Sequence, residues 1–314
     1  MRLGMAYYGS YLPEHLEQDL TTIKNLGCEE VIITLSENDF HIMQGKLKFV
    51  PRIAHNLGLK LLANFWGYVC SFGGGRVSKL LTEKPQVWQV DREGKSVGMG
   101  CPNHPLVIET AQRMVDECIK YNYDGFFWDE PTRFDCYCKA CQDKYYSLYG
   151  ESLPRKVTPQ LREFRNRTVI DYVQLMSDYV KKSRSSAETA TCVMISDRET
   201  WEDVAKIPSL DSFGTDPYWL ASDQPVSYVV RYSQEVVRLC RKNGKSSQVW
   251  LQCWSIPRGK EPEIYEAGKL IVAEKPDIIY TWAYRAGLGT NEESENPEEA
   301  WKYLVKTYQE LAKL

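Results

Sequence analysis

Asp129 and Glu130 stand side by side where an apolar, aromatic run, Gly125-Phe-Phe-Trp128, gives out, and Pro131 follows them. Carboxyl groups at a strand end are well placed to move protons or to attack a carbon. A few residues on, Cys136, Cys138 and Cys141 are packed closely enough to grip one metal ion. The stretch from Asp124 to Cys141 thus offers acid–base chemistry next to a metal clip.

A third acid, Asp216, resembles Glu130 in one respect: Glu130 precedes Pro131 and Asp216 precedes Pro217. A residue before proline is pushed away from the α region, so both acids are expected to be extended and fixed in direction. Along a strand, Asp129 and Glu130 point to opposite faces unless the second curls over the rim. Asp216 follows Ser212 and Gly214 on one face, with Phe213 on the other, which turns it toward an interior with room for it. Two converging carboxyl groups are what cleavage of a glycosidic bond requires, one to protonate the leaving oxygen and one to attack or to activate water. Asp197 precedes a helical stretch and reads as a helix cap.

Positioning these acids needs strand ends that converge. Short apolar runs at Leu3–Tyr8, Val31–Leu35, Leu59–Trp66, Gly125–Asp129, Cys192–Ser196, Asp211–Thr215, Gln248–Cys253 and Asp277–Tyr284 read as strands. Helical patterns lie between them at Leu16–Leu26, Leu47–Asn56, Pro105–Tyr121, Leu161–Ser185, Val226–Asn243 and Glu263–Ala273, and Pro297–Leu314 closes the chain. Strand–helix alternation over 314 residues predicts an α/β fold, a (β/α)₈ TIM barrel in one domain, residues 1–314, with excursions after strands three and four. The absence of GxGxxG after the first strand argues against a doubly wound sheet. The glycines 73–75 read as a rim loop, and Asp91-Arg92-Glu93-Gly94 as a turn.

In such a barrel the site lies at the C-terminal ends of the strands. Those ends carry Tyr7 and Tyr8; Glu37, Asn38 and Asp39; Asn64 and Trp66; Asp129 and Glu130; Asp197 and Arg198; Asp216; Gln252 and Trp254; and Trp282, Tyr284 and Arg285. Asp129, Glu130 and Asp216 are the catalytic candidates. Trp66, Tyr218, Trp254 and Trp282 suit stacking on a sugar ring; Tyr7, Asn64, Trp128 and Gln252 join the expected lining, and Arg285 suits a polar or anionic substituent. None of the four histidines falls at a strand end, which argues against a histidine-centred triad.

A formal charge of −3 without long like-charge runs argues against a nucleic-acid partner, and no stretch is apolar enough to span a bilayer. The first residues, Met1 to Pro13, read as a strand rather than a leader, and ten cysteines without a leader predict thiols and a metal site in the cytoplasm. The sequence leaves a homo-oligomer open. A structural zinc takes four ligands, and Cys101, before helix three, is the best fourth beside Cys136, Cys138 and Cys141, with Cys70 the runner-up. Such a closed site braces loops and does no chemistry.

Together these residues resemble family 42 glycoside hydrolases, the β-galactosidases of clan A, over about Cys101 to Gly150. The matching features are Cys101-Pro102-Asn103, Glu130, Cys136-Tyr137-Cys138 with Cys141, and the run Tyr145 to Gly150. The resemblance implies zinc at the four cysteines and an acid/base role for Glu130. Two positions depart from it: Asp129 stands where the clan has Asn, and Gln252 where its strand-seven Glu nucleophile belongs. A Gln can hydrogen-bond a hydroxyl but cannot serve as that nucleophile. Asp129 and Asp216 also stand at the positions of nucleophile and acid/base in clan D and family 31 α-glycosidases. Two assignments therefore stay open: Glu130 as proton donor with Asp216 as partner, or Asp129 attacking with Asp216 as donor. The expected function is a zinc-braced glycoside hydrolase acting on a small glycoside or oligosaccharide. The alternatives are an inactive carbohydrate-binding barrel and a barrel lyase or isomerase.

Overall fold

The computed structural model describes residues 1–9, 12–70, 72–73, 78–131 and 135–314. Gly74 and Gly75 of the glycine-rich loop lie outside the described residues, as does the side chain of Cys70. Eight parallel strands close into a barrel: β1 (Arg2–Tyr7), β2 (Glu30–Thr34), β3 (Lys60–Asn64), β4 (Gly125–Asp129), β5 (Glu188–Cys192), β6 (Ser212–Thr215), β7 (Ser246–Gln252) and β8 (Ile278–Trp282). They pair in sequence order, and β8 returns to β1 with Leu3 opposite Ile279. The helices that follow them are α1 (Pro13–Asn25), α2 (Gln44–Asn56), α3 (Pro105–Lys120), α4 (Pro159–Ser183), α5 (Trp201–Ala205), α6 (Tyr228–Asn243), α7 (Pro262–Ala273) and α8 (Pro297–Leu311). Among the described residues, no helix is long and apolar enough to cross a membrane.

Local chemistry sets the helix ends. Proline occupies the first turn of α3, α4 and α8, where its missing N–H costs nothing. Thr158 accepts from Leu161 N at 3.1 Å and so caps α4, while Gly244, at φ 67°, ends α6.

Strand periodicity sorts the side chains into two cores. Ala6, Ile32, Leu62, Phe127, Ala190, Cys192, Trp250 and Tyr280 pack inside the barrel. Their neighbours in sequence, among them Met5, Tyr7, Ile33, Ala63, Phe126, Trp128 and Leu251, pack outward against the helices. The small Gly214 is required where it stands: a Cβ there would fall 2.1 Å from the Gln248 side chain that fills the interior.

Strand five corrects the sequence expectation. It runs over Glu188–Cys192, and Ile195–Thr200 is a 3₁₀ segment. Its threonines disguise it, because they are buried with their hydroxyls satisfied by backbone; Thr191 Oγ1 donates to Trp128 O at 2.7 Å. The excursion after β3 contains an antiparallel hairpin, Trp88–Val90 with Ser96–Gly100. Asp91 closes its turn by accepting from Lys95 N at 2.8 Å.

Candidate active site

The inward alternation of β4 delivers Asp129 to the barrel mouth, where Asn64 Nδ2 donates to its Oδ2 at 2.9 Å. Glu130 is not extended as its proline neighbour suggested. Its φ is 40°, in the left-handed region, and this turn folds it over the rim to the same side as Asp129. Gly73 lies against both carboxyl groups and donates its N–H to Asp129 O at 3.0 Å. A Cβ on Gly73 would lie 2.9 Å from Glu130 Oε2 and 3.1 Å from Asp129 Oδ2.

Asp216 enters from β6 along the small face of Ser212 and Gly214 and meets Glu130 in hydrogen-bonding contact. Two carboxyl groups can sit so close only if they share a proton. Burial, then the charge of Asp216 and the hydrogen bond to it, push Glu130 well above the usual carboxylate range. Burial raises Asp216 to about 6, restrained by the hydrogen bond from Glu130. Burial and the neighbouring Glu130 push Asp129 up to about 8. Near neutral pH the proton of the pair therefore resides on Glu130 and the charge on Asp216. Such a pair can hand a proton to a ligand oxygen.

These acids line a cavity of about 130 Å³ with Ala6, Cys192 and Trp250 beneath them. Trp66, Tyr218, Trp254 and Trp282 form its walls. Trp66 lies 5.7 Å from Trp282, which also packs against Tyr8 at 5.3 Å, and Tyr218 meets Trp254 edge-on at 5.5 Å. Asn64 Oδ1 and Trp254 Nε1 are buried with no hydrogen-bond partner among the described residues. No Lys, Arg or His lines the cavity among those residues.

Four candidates for the lining stand elsewhere. Tyr7 points outward, and its hydroxyl donates to Asp19 Oδ2 at 2.7 Å on α1. Trp128 is buried behind the barrel and donates its indole N–H to Ser177 on α4 at 3.0 Å. Both follow from strand parity, since each sits one residue from an inward position. Gln252 occupies the inward end of β7, but its amide is used by backbone: Oε1 accepts from Leu220 N at 3.1 Å and Nε2 donates to Trp254 O at 3.2 Å. Arg285, half exposed, lies over the Tyr284 ring and 4.0 Å from Asp19. The other strand-end acids serve structure. Glu37 accepts from Leu80 N at 3.0 Å, Asp39 is ion-paired with buried Lys46 at 3.2 Å, and Asp197 does not line the cavity.

One lining acid escaped the sequence reading. Glu292 lies ten residues beyond β8, and its Oε2 accepts the indole N–H of Trp282 at 2.7 Å. Its backbone is held by Ser255 N, which donates to Glu292 O at 2.9 Å, and by Thr290 Oγ1, which accepts from Glu292 N at 3.1 Å. The only signal in the sequence was a cluster of acids, Glu292, Glu293 and Glu295, following a barrel strand.

The four expected metal ligands do come together. The sulfurs of Cys101, Cys136, Cys138 and Cys141 all lie within 4.8 Å of one another and are buried. Cys101 and Cys141 are 3.4 Å apart at sulfur, far beyond a disulfide bond. Four thiolates at metal–sulfur distances of about 2.3 Å leave sulfurs about 3.8 Å apart in a tetrahedron, so this donor set fits one metal ion. Tyr137 N donates to Val90 O at 2.7 Å, and Cys101 N to Val87 O at 2.9 Å, which ties the hairpin to the loop after β4. Among the described residues, no other group of three or more potential ligands converges this closely, the cavity acids included.

The closed barrel of eight parallel strands is the (β/α)₈ fold expected from the sequence. No family model and no curated protein matches the sequence. Solved structures do match. The β-galactosidase of the haloarchaeon Halorubrum lacusprofundi is 16% identical with a TM-score of 0.74, over 100% of this chain and 58% of that one. The β-galactosidase of Bacillus circulans sp. alkalophilus is 13% identical with a TM-score of 0.76, over 100% of this chain and 56% of that one. The endo-β-1,4-mannanase of Thermotoga petrophila is 12% identical with a TM-score of 0.59, over 100% of this chain and 76% of that one. The chain thus spans little more than half the length of the two β-galactosidases. At these identities the likeness is one of fold.

Proposed function

We propose that residues 1–314 form one catalytic barrel, a glycoside hydrolase that binds one sugar ring in the cavity and protonates the departing glycosidic oxygen from Glu130. The observation that carries this reading is the pairing of two buried carboxyl groups, Glu130 and Asp216, in one aromatic-walled cavity, where burial and the charge of Asp216 push Glu130 well above the usual carboxylate range. General acid catalysis needs such a group. The sugar is neutral, since an anionic one would meet Asp216 and neighbouring acids with no cation among the described lining residues. Trp66 and Trp282 stack on its ring, and Asn64 Oδ1 accepts a hydrogen bond from one of its hydroxyls.

The alternative assignment, with Asp129 as nucleophile, is disfavoured because burial holds Asp129 largely protonated near neutral pH. A barrel isomerase using a divalent cation is disfavoured because the acids do not converge as a ligand set. The four cysteines hold zinc, whose two charges draw the thiolates into one closed knot. That knot fixes the hairpin and the loop after β4, and Glu130 stands at the root of the same loop.

The neighbouring structures are β-galactosidases and a mannanase, so aryl β-galactosides and aryl β-mannosides are the first substrates to test. The expected result is turnover of at least one neutral aryl glycoside, with kcat falling about 10²–10⁴-fold in Glu130→Gln. A barrel that only binds sugar, which the engaged Gln252 would suit, instead shows glycoside binding by tryptophan fluorescence with no turnover of any aryl glycoside.

A further inference from the structure

We propose that Glu292 is the second catalytic carboxylate, the nucleophile that Gln252 cannot be. The inference rests on the glycosidase reading and supplies the group that reading lacks.

Carboxyl groups that flank an anomeric carbon stand about 5–5.5 Å apart when one of them attacks it, and about 6.5–9.5 Å apart when a water intervenes. Glu130 and Asp216 are in hydrogen-bonding contact, so no sugar atom passes between them. Asp129 shares Glu130's wall: a single Cβ placed on Gly73 would touch both. None of these acids opposes Glu130. Gln252, at the end of β7, is neutral and spends its amide on two backbone groups.

Glu292 stands where an opposing group must. In a closed barrel of eight strands in sequence order, β4 and β8 are diametrically opposed. Glu130 comes from the end of β4. Glu292 comes from the loop after β8 and is fastened to the last residue of that strand, Trp282. Both line the same cavity. The indole N–H that binds Oε2 directs the carboxyl group, and Oε1 remains for the substrate. The two backbone bonds at Glu292 fix the loop that carries it.

A carboxylate oxygen of Glu292 bonds to the anomeric carbon while the bond from that carbon to the leaving oxygen breaks, and Glu130 gives its proton to that oxygen. Water then attacks the glycosyl ester. Its hydroxyl goes to the anomeric carbon, its proton returns to Glu130, and Glu292 leaves as the free carboxylate.

The experiment uses the full chain and the best aryl glycoside found for the wild type. Glu292→Gln should lower kcat by roughly a thousandfold or more with KM little changed, since attack is made only in the transition state. In Glu292→Gly, added azide should restore turnover and yield a glycosyl azide of inverted configuration, an outcome that a structural role for Glu292 does not produce. Circular dichroism and the melting temperature of each variant report whether it is folded. If Glu292→Gln keeps kcat within tenfold of wild type while Glu130→Gln is inactive, the inference falls and the glycosidase reading stands. If azide restores nothing in folded Glu292→Gly, the inference falls as well. If the wild type hydrolyses no glycoside, both fall.

Discussion

Glu130, at the end of β4, stands beside Asp216, at the end of β6, in one buried cavity, so close that each carboxyl group shifts the other. Each alters the other: the charge on Asp216 keeps Glu130 protonated, and the proton on Glu130 keeps Asp216 ionised. The contact depends on two local features, the left-handed turn at Glu130 and the small residues Ser212 and Gly214 below Asp216.

This pairing sets the pH profile. Asp216 must be ionised to hold Glu130's proton in place, and its raised value of about 6 puts the acid limb of the rate profile there. Activity should fall as pH drops through about 6, and the alkaline limb should lie well above the ordinary Glu range. Asp216→Asn should remove the limb near 6 and lower kcat, which a pH–rate series on an aryl glycoside would read. An unchanged acid limb in that variant would show that another group controls it.

Asp129 predicts a stability effect of opposite kind. Its folded value of about 8 lies above the ordinary carboxylate value of 3.8. The folded chain therefore binds this proton more tightly than the unfolded chain, and stability is lost as pH rises from about 4 through about 8. Asp129→Asn removes that loss while keeping an oxygen to accept from Asn64. The variant should melt a few degrees above wild type at pH 8 and within about a degree of it at pH 4. Melting curves at the two pH values check this, and equal shifts at both would contradict the assignment.

Gly73 is required by close approach. In Gly73→Ala the new methyl would meet Glu130 Oε2 and Asp129 Oδ2 at 2.9 and 3.1 Å, so the acids must move. We expect at least a tenfold loss of kcat from misplaced catalytic groups. The melting temperature should fall by no more than a few degrees, because Gly73 lies at the rim. Wild-type kinetics in this variant would mean that the acids tolerate displacement.

The cysteine knot should act on stability and not on chemistry. Elemental analysis should find one zinc per chain. Cys141→Ser should lose it and melt well below wild type, since a structural zinc contributes several kcal/mol to the folded state. Mild chelation should leave activity intact, because four buried thiolates leave no open position on the metal. Rapid inactivation by a dilute chelator would place the metal in the reaction instead.

The aromatic wall and the outlying arginine make a paired test. Trp66→Ala should raise KM about tenfold through lost stacking. Arg285→Ala should leave KM within twofold of wild type, because the guanidinium lies outside the cavity near Asp19. Steady-state kinetics of both variants on one substrate are sufficient.

The barrel was legible because its signals are local. Apolar runs of strand length alternate with amphipathic helices, and proline and glycine mark the helix ends, so the repeat of eight could be counted along the chain. The four cysteines were legible because three share a tight spacing and the fourth precedes the next helix. Strand five was misplaced because buried threonines look like surface until their hydroxyls find backbone acceptors. Tyr7 and Trp128 were misassigned by one step of strand parity, and parity depends on register within the closed sheet.

Three matters were decided only by the tertiary structure. The reversal at Glu130 brings two adjacent acids to one side, against the extended geometry expected before proline. Gln252 is withdrawn from the site by Leu220 and Trp254, partners 32 and two residues away. Glu292 is brought into the site by Trp282, ten residues earlier, and by Ser255, 37 residues earlier. Residue types and local spacing determined which groups could do chemistry and on which strands they ride. Which of them share one cavity depended on closure of the barrel and on loop contacts between residues distant in sequence, and these have no local signature.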